Sequence, residues 1–431
     1  MNEIRLSADD VDAVRVQLLE WVTAHWDPNM PLEHWRARLA EAGWAAPSWP
    51  RRWGGLDMPA WADEVVVGEL LRLGTVGTPI GVGVSLAAPT ILAHGSADLC
   101  ERFLRPILTG QERWCQLFSE PEAGSDLAGV TTTAVLDGDD WVVNGHKVWN
   151  TSAQHADLGM LLVRTDANVP AHQGISYLIL PMHQPGVTIR PLRQMNDHSS
   201  FNEVFLNDAR VPRDFVLGGV GKGWATALTT LAHERRFSTL RPPKYADKPG
   251  RTLAEARRET QQHFATYRWY PQRAGRADLI VEHARRTGGF DDPLIRQEIA
   301  AVLTLERIST WTAARAKAAR ARGKQPGPEG SVGKLTASRL ARAASHAHTS
   351  IAGASALLSG PEAPFEGTIA EILLSTPAQS IAGGTDEIQK NILAEKILGL
   401  AREPAPDRDR PVNQTRRTLR HPSQHRPLEG S

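Results

Sequence analysis

Cysteine is nearly absent from this 431-residue chain: Cys100 and Cys115 are its two thiols. Two thiols in so long a chain make no disulfide framework, and no Cys/His run has the spacing of a zinc site, so no metal is expected. Both are expected to be reduced, as in a cytoplasmic protein. Net charge is equally scant. The formal +1 from 49 Lys and Arg against 48 Asp and Glu leaves no global field to draw the chain to nucleic acid or an anionic membrane. Long apolar runs are missing too: the least polar stretch, Ile80 to Ala93, is broken by glycine, serine and proline and is too short to span a bilayer. The first residues, MNEIRLSADD, hold no apolar core of a secretory signal. The expectation is a soluble cytoplasmic protein with no nucleic-acid partner and no membrane insertion.

What is present is ordinary globular composition, 41% hydrophobic and 23% charged, in a chain long enough for two or three domains. Its texture changes twice. Residues 1–115 read as an N-terminal helical domain, with apolar residues at helical spacing in Val11, Val14, Leu18, Leu19 and Val22, and in Trp61, Val65, Val66, Leu70 and Leu71. Residues 116–217 read as a central β-domain. Short β-branched runs recur at roughly ten-residue intervals there, and Asp137-Gly138 and Asn144-Gly145 carry hairpin signals. From 218 to 401 the chain is again helical, interrupted at 241–275 by prolines, charge and scattered aromatics that read as an inserted surface segment. Residues 402–431 are rich in arginine and proline and bury too little to offset ordering entropy, so disorder is expected.

Four stretches carry chemical information. Gln116-Leu-Phe-Ser-Glu-Pro-Glu-Ala-Gly-Ser-Asp126 offers a turn with exposed backbone N–H groups and hydroxyls. Such a turn can cradle a pyrophosphate; taken alone, it reads as an ordinary strand–turn–strand connection. Trp149-Asn150-Thr151 is either core packing or a stacking wall for a planar cofactor, and alone reads as core. The helix ending Leu231-Ala-His-Glu-Arg235 holds a carboxylate that is either a solvated ion pair or, placed in a pocket, a general base. Gly383-Gly384 give up side chains just before a helix, either to turn the chain or to make room for a ligand.

In order and spacing these stretches resemble the acyl-CoA dehydrogenase family, actinobacterial members included, from Gly43-Trp-Ala-Ala-Pro-Ser-Trp-Pro50 to Leu398-Gly-Leu-Ala401. Ser119-Glu-Pro-Glu-Ala-Gly-Ser-Asp126 is similar to its first flavin-binding signature and Gly145-His-Lys-Val-Trp-Asn-Thr151 to its second. The resemblance implies an α+β fold: an N-terminal helical domain, a central β-barrel-like domain and a C-terminal four-helix bundle. It also implies FAD, an acyl-CoA substrate oxidised to its trans-2-enoyl thioester, and an electron-transfer flavoprotein or similar acceptor. A homo- or hetero-oligomer, dimer or tetramer, is implied as well. Phe118, Ser119, Gly124 and Ser125 match the first flavin segment, and Trp149 and Thr151 match residues beside the flavin ring. Gly384 and Thr385 match the C-terminal pair that meets the flavin, with Glu387 a further candidate. Arg286 and Gln297 match residues that reach a neighbouring subunit's FAD. Arg235 matches an arginine near the CoA nucleotide, and Ser125 and Gly383 are further substrate-binding candidates.

The base departs from the family's commonest pattern. Many members carry glutamate where this chain has Gly383; others carry it on the helix after the β-domain, where Glu234 stands. The resemblance therefore assigns α-proton abstraction to Glu234. His233, turned about 100° around the helix, is expected to play no part in it. A second departure is Ser350-Ile-Ala-Gly-Ala-Ser-Ala356, which keeps one glycine of a Gly-rich segment that touches FAD across subunits. The alternatives are an acyl-CoA oxidase or other flavoprotein on the same fold, and a non-catalytic subunit of a hetero-oligomer.

Overall fold

The computed structural model describes residues 11–234, 242–321, 327–328, 330–405, 407 and 409–415. Two compact units divide it: the described parts of Met1–Leu192, Phe201–Ala265 and Ala405–Ser431 form the first, and those of Arg193–Ser200 and Thr266–Pro404 the second.

The first unit begins with α1 (Val11–His25), α2 (Leu32–Glu41), α3 (Trp61–Arg72), α4 (Ala88–His94) and α5 (Ala97–Thr109). Of the anticipated stripes, Val14, Leu18 and Val22 of α1 and Val66 and Leu70 of α3 are buried around Trp35, joined by Ala62, whereas Leu19 is exposed. The Trp35 indole N–H is satisfied by the Val76 carbonyl at 2.6 Å, the usual requirement for a buried tryptophan.

The sheet follows: β1 (Trp114–Leu117), β2 (Thr133–Asp137), β3 (Asp140–Lys147), β4 (Leu158–Arg164), β5 (Ile175–Pro181), β6 (Val187–Leu192), β7 (Phe201–Pro212) and β8 (Val216–Leu217). It curls in the order β6-β7-β3-β2-β4-β5-β8, with β1 beside β4. Every residue of β4 is buried, and β5 is buried up to its last residue. Alternate side chains of these two strands enter two separate cores: Met160, Leu162, Tyr177 and Ile179 on one face, Leu161, Val163, Leu178 and Leu180 on the other. That is why both strands read as continuous apolar runs rather than alternating ones. The Asp137-Gly138 turn joins β2 to β3 as anticipated. Asn144-Gly145 does not make a hairpin. It is a register shift inside β3, where Asn144 exchanges hydrogen bonds with Asp208 of β7.

Two further helices complete this unit, α6 (Gly223–Glu234) and α7 (Arg251–Ala265). The inserted stretch is more than surface: Leu253 and Ala256 of α7 are buried in the α1–α3 core, and Glu259 pairs with Arg36 at 2.7 Å. Charged residues on the other faces of α7 hid this stripe. Part of the arginine-rich tail is also placed, Val412 and Asn413 donating backbone N–H to the carbonyls of Val169 and Ala167.

The second unit holds α8 (Tyr270–Arg273), α9 (Ile280–Thr287), α10 (Pro293–Ala321), α11 (Gly330–Ala352), α12 (Thr368–Ser375), α13 (Pro377–Ile381) and α14 (Asp386–Lys396). Ala344 and Ala347 of α11 pack small faces against Ile299 and Val302 of α10 and Ile280 and Ala284 of α9. Among the described residues, no helix is long and apolar enough to cross a membrane, and no group of three His, Cys, Asp or Glu is placed to hold a metal.

Candidate active site

In the first unit the site is built where β1 and β3 end. Beyond β1 the chain turns at Glu120–Ala123, whose backbone groups exchange hydrogen bonds at 3.1 and 3.0 Å and leave Gly124 and Ser125 exposed. Phe118 is buried edge-on against Tyr177, ring centroids 5.6 Å apart. The two candidate segments lie side by side: Val148 N–H donates to the Ser119 carbonyl at 3.0 Å, and Lys147 Nζ to the Phe118 carbonyl at 3.1 Å.

Lys147 is fully buried and also reaches Glu120 Oε1 at 2.8 Å. Burial disfavours both charges. For Glu120 this is outweighed by Lys147 and by donors from Thr131 and Thr132, which bring its pKa down to about 2. Burial holds Lys147 below the usual lysine value against the pull of Glu120. Arg164, at the end of β4, caps the carbonyls of Ala128, Val130 and Ala171 and fixes the turn that follows Ser125. None of these three side chains stands out among the motifs. One signal was available: Lys147 shares parity with the core-facing Trp141 and Val143 of β3, and a lysine on a buried face calls for a carboxylate.

Trp149 is not in the core. Its side chain is 56% exposed, and its backbone sits at φ +64°, in the left-handed region. A bulky residue there costs on the order of 1–3 kcal/mol. Neighbouring Asn150 holds the loop: its N–H and carbonyl pair with Asn202, and its Nδ2 donates to the Gln116 carbonyl at 2.9 Å. Thr151 follows, half-buried. A strained loop thus presents an indole to solvent within a set of hydroxyls and amides. These residues fit a planar cofactor rich in hydrogen-bonding groups.

Helix α6 brings the carboxylate. Gly223, Thr226, Ala227 and Thr230 form its buried face. A Cβ at Gly223 would lie 2.5 Å from the backbone of Ser176, so only glycine lets α6 approach β5 this closely. Thr230 meets Thr90 at 2.9 Å and the Tyr177 hydroxyl at 3.2 Å. Glu234 lies one turn beyond Thr230 on the same face. Its Oε2 accepts from Gln116 Nε2 at 3.2 Å. Arg235 lies outside the described residues.

In the second unit Gly383 and Gly384 both have left-handed backbones, φ +69° and +84°. Their surroundings differ. Space above Gly383 is open, whereas a Cβ on Gly384 would come 2.6 Å from Gln389 Nε2, which donates to the Gly383 carbonyl. Thr385 caps α14 through Ile388 N–H at 3.3 Å. Buried Asp386 is locked by Lys334 and Arg342 at 2.8 and 3.0 Å. Glu387 is exposed on α14. Arg286 and Gln297 stand apart from this turn in the sequence and on other elements: Arg286 lies over the Phe365 ring, and Gln297 is exposed on α10.

Comparison with known proteins agrees along the chain. Residues 5–111, 115–209 and 272–398 match the N-terminal, middle and C-terminal domains of acyl-CoA dehydrogenase. Acyl-CoA dehydrogenase IpdE1 of Mycobacterium tuberculosis is 36% identical over 86% of this chain and 88% of its own length. Its Mycolicibacterium smegmatis counterpart is 35% identical over the same shares. The crystal structure of the ChsE4–ChsE5 complex from M. tuberculosis matches at 26% identity with a TM-score of 0.63, covering 94% of this chain and 100% of that one. Helical N-terminal region, curled middle sheet and helical C-terminal region all correspond, and the chain belongs to the acyl-CoA dehydrogenase family of oxidoreductases.

Proposed function

We propose that the protein dehydrogenates an acyl-CoA thioester between its α and β carbons, with FAD as cofactor and Glu234 as base. The observation that carries this reading is the place of Glu234, on the buried face of α6 and bonded to the strand that runs into Phe118–Ser125. Bound FAD supplies the acceptor for the β-hydrogen, which leaves as hydride. The residues of the chain do the rest. Glu234, half-buried and held by Gln116, takes the α-proton. Trp149 offers its face to the flavin ring, with Thr151 beside it, and Ser119, Gly124 and Ser125 supply hydroxyls and backbone N–H groups to the cofactor. By the family resemblance, Gly384, Thr385 and Glu387 are further flavin contacts, Arg286 and Gln297 reach a neighbouring subunit's FAD, and Gly383 and Arg235 bind substrate. The acceptor that would reoxidise such a cofactor is an electron-transfer flavoprotein or a similar protein.

The test is anaerobic bleaching of the bound flavin by a panel of straight, branched and polycyclic acyl-CoAs. At least one member should reduce the wild type. Glu234→Gln should be slower by three or more orders of magnitude with its flavin retained; bleaching within tenfold of wild type refutes the assignment.

A further inference from the structure

We propose that Gln116 is the positioning residue of the Glu234 carboxylate, aiming it and partnering it both before and after proton transfer; this rests on Glu234 being the base. Gln116 Nε2 donates to Glu234 Oε2 at 3.2 Å. The glutamine is itself held. It lies in β1, in parallel register with Met160 of the fully buried β4, and its carbonyl accepts from Asn150 Nδ2 at 2.9 Å. Asn150 is buried and paired to Asn202 by two backbone bonds of 3.0 and 3.1 Å, while Asn202 Nδ2 reaches the Asn150 carbonyl at 2.9 Å and Gln154 Oε1 at 2.6 Å. A line of amides therefore runs from the strained Trp149 loop to the carboxylate. Such a chain fixes geometry without adding charge.

The choice of a carboxamide has a chemical reason. An arginine or lysine here would hold Glu234 firmly as the anion and weaken it as a base. An apolar side chain would leave the carboxylate oxygen without this donor. A glutamine donates through its NH₂ group to the carboxylate. After a half-turn of the amide it accepts through Oε1 from the carboxylic acid formed when the α C–H bond breaks and the proton arrives. Gln116 neither gains nor loses a proton in the step. Its NH₂ favours the charged resting form, so its removal raises the pKa of the base.

The experiment uses the FAD-loaded wild type, Glu234→Gln, Gln116→Met and Gln116→Glu. Flavin reduction is followed from pH 5 to 10 with whichever of butyryl-, octanoyl-, palmitoyl-, isobutyryl- and cholyl-CoA bleaches the wild type fastest. In parallel, the Glu234 carboxylate band is titrated by isotope-edited infrared difference against Glu234→Gln. For Gln116→Met, which keeps the length of the side chain but has no donor, the acidic limb and the infrared titration should both move up by about one pH unit. The reduction rate at neutral pH should fall several-fold, with half-saturation within twofold of wild type. Gln116→Glu puts two carboxylates together and should move both readouts further in the same direction. A merely structural role would lower the melting temperature and leave both titrations in place. Inactive Glu234→Gln together with Gln116→Met and Gln116→Glu titrations superimposed on wild type overturns the role of Gln116 and leaves the base standing. Persistent bleaching by Glu234→Gln overturns the base, and this inference with it.

Discussion

Lys147 and Glu120 form a buried ion pair, 2.8 Å apart with side chains 0% and 4% exposed, one from each of the two segments that match the family's flavin signatures. The same lysine holds the Phe118 carbonyl, so one ammonium group ties the start of one segment to the strand that leads into the other. Removing one member of such a pair leaves the other charge stranded, at about 3–5 kcal/mol. Lys147→Met should therefore lower unfolding free energy by that amount and reduce FAD occupancy. Adding Glu120→Gln should restore part of the stability, since the stranded charge is gone. Urea denaturation of the single and double variants, with flavin absorbance as the second readout, checks both.

Acid should loosen the second unit through a buried histidine pair. His283 Nδ1 lies 2.9 Å from His348 Nδ1, and His348 Nε2 lies 3.1 Å from the Arg276 carbonyl. The arrangement that satisfies these contacts has both rings neutral, His348 donating to the carbonyl and His283 donating to His348. Burial, with the His348 and Arg286 charges behind it, pushes His283 down to about 4; burial also lowers His348, against smaller upward pulls from the Arg276 carbonyl and Asp278. A histidine that is harder to protonate folded than unfolded contributes stability above its unfolded pKa of about 6.5 and loses it as pH falls toward 4. The loss is up to about 3 kcal/mol. Thermal melts at pH 7 and pH 5 should show the first part of this loss, about 2 kcal/mol, in wild type and a smaller one in His283→Leu/His348→Leu.

The strands and the α1–α3 core were legible because their signals are local: Val14, Leu18 and Val22 carry a helical period, and Asp137-Gly138 a turn type. Asn144-Gly145 carried the same local signal and misled, because a tertiary partner, Asp208, takes up the asparagine inside β3 and turns the expected hairpin into a bulge. Leu253 and Ala256 were hidden for a related reason. A helix half-covered by charge shows its buried stripe only once its neighbour is known. The candidate site was legible as motif spacing, while its supports were not. Gln116 and Asn150 act through hydrogen bonds to residues 34 to 118 positions away, and no pattern in one sequence encodes those pairings; Lys147 showed only its place on a buried face.

Trp149 should matter for cofactor and little for folding. An exposed side chain on a left-handed backbone contributes little burial and costs strain. Trp149→Gly removes that strain, so its apo form should be as stable as wild type or more so by about 1 kcal/mol. Its FAD dissociation constant should nevertheless rise at least tenfold, the loss of one stacking face. Melting of the apo protein and flavin fluorescence titration separate the two effects. A parallel fall in both would place the indole in a packing role instead.

Gly223 tests whether the seat of α6 governs the base. Its Cβ would meet the Ser176 carbonyl carbon at 2.5 Å and the Ser176 Cα at 2.7 Å, backbone atoms that cannot rotate away. Gly223→Ala gains helix propensity of up to about 1 kcal/mol, so an unconstrained site would be stabilised. Here the helix must lift from β5 instead, at about 1–3 kcal/mol for overpacking. Glu234 sits eleven residues along the same helix, about 16 Å away at 1.5 Å per residue, so a small tilt at Gly223 displaces it by a fraction of an ångström or more. A misplacement of about 1 Å costs on the order of 100-fold in rate. Gly223→Ala should thus melt lower and reduce its flavin ten- to 100-fold more slowly. Ala225→Ser, on the exposed side of the same turn, should change neither by more than a few tenths of a kcal/mol. Stopped-flow reduction at saturating acyl-CoA checks the ranking, and a Gly223→Ala enzyme of full rate would show that the position of Glu234 is set elsewhere.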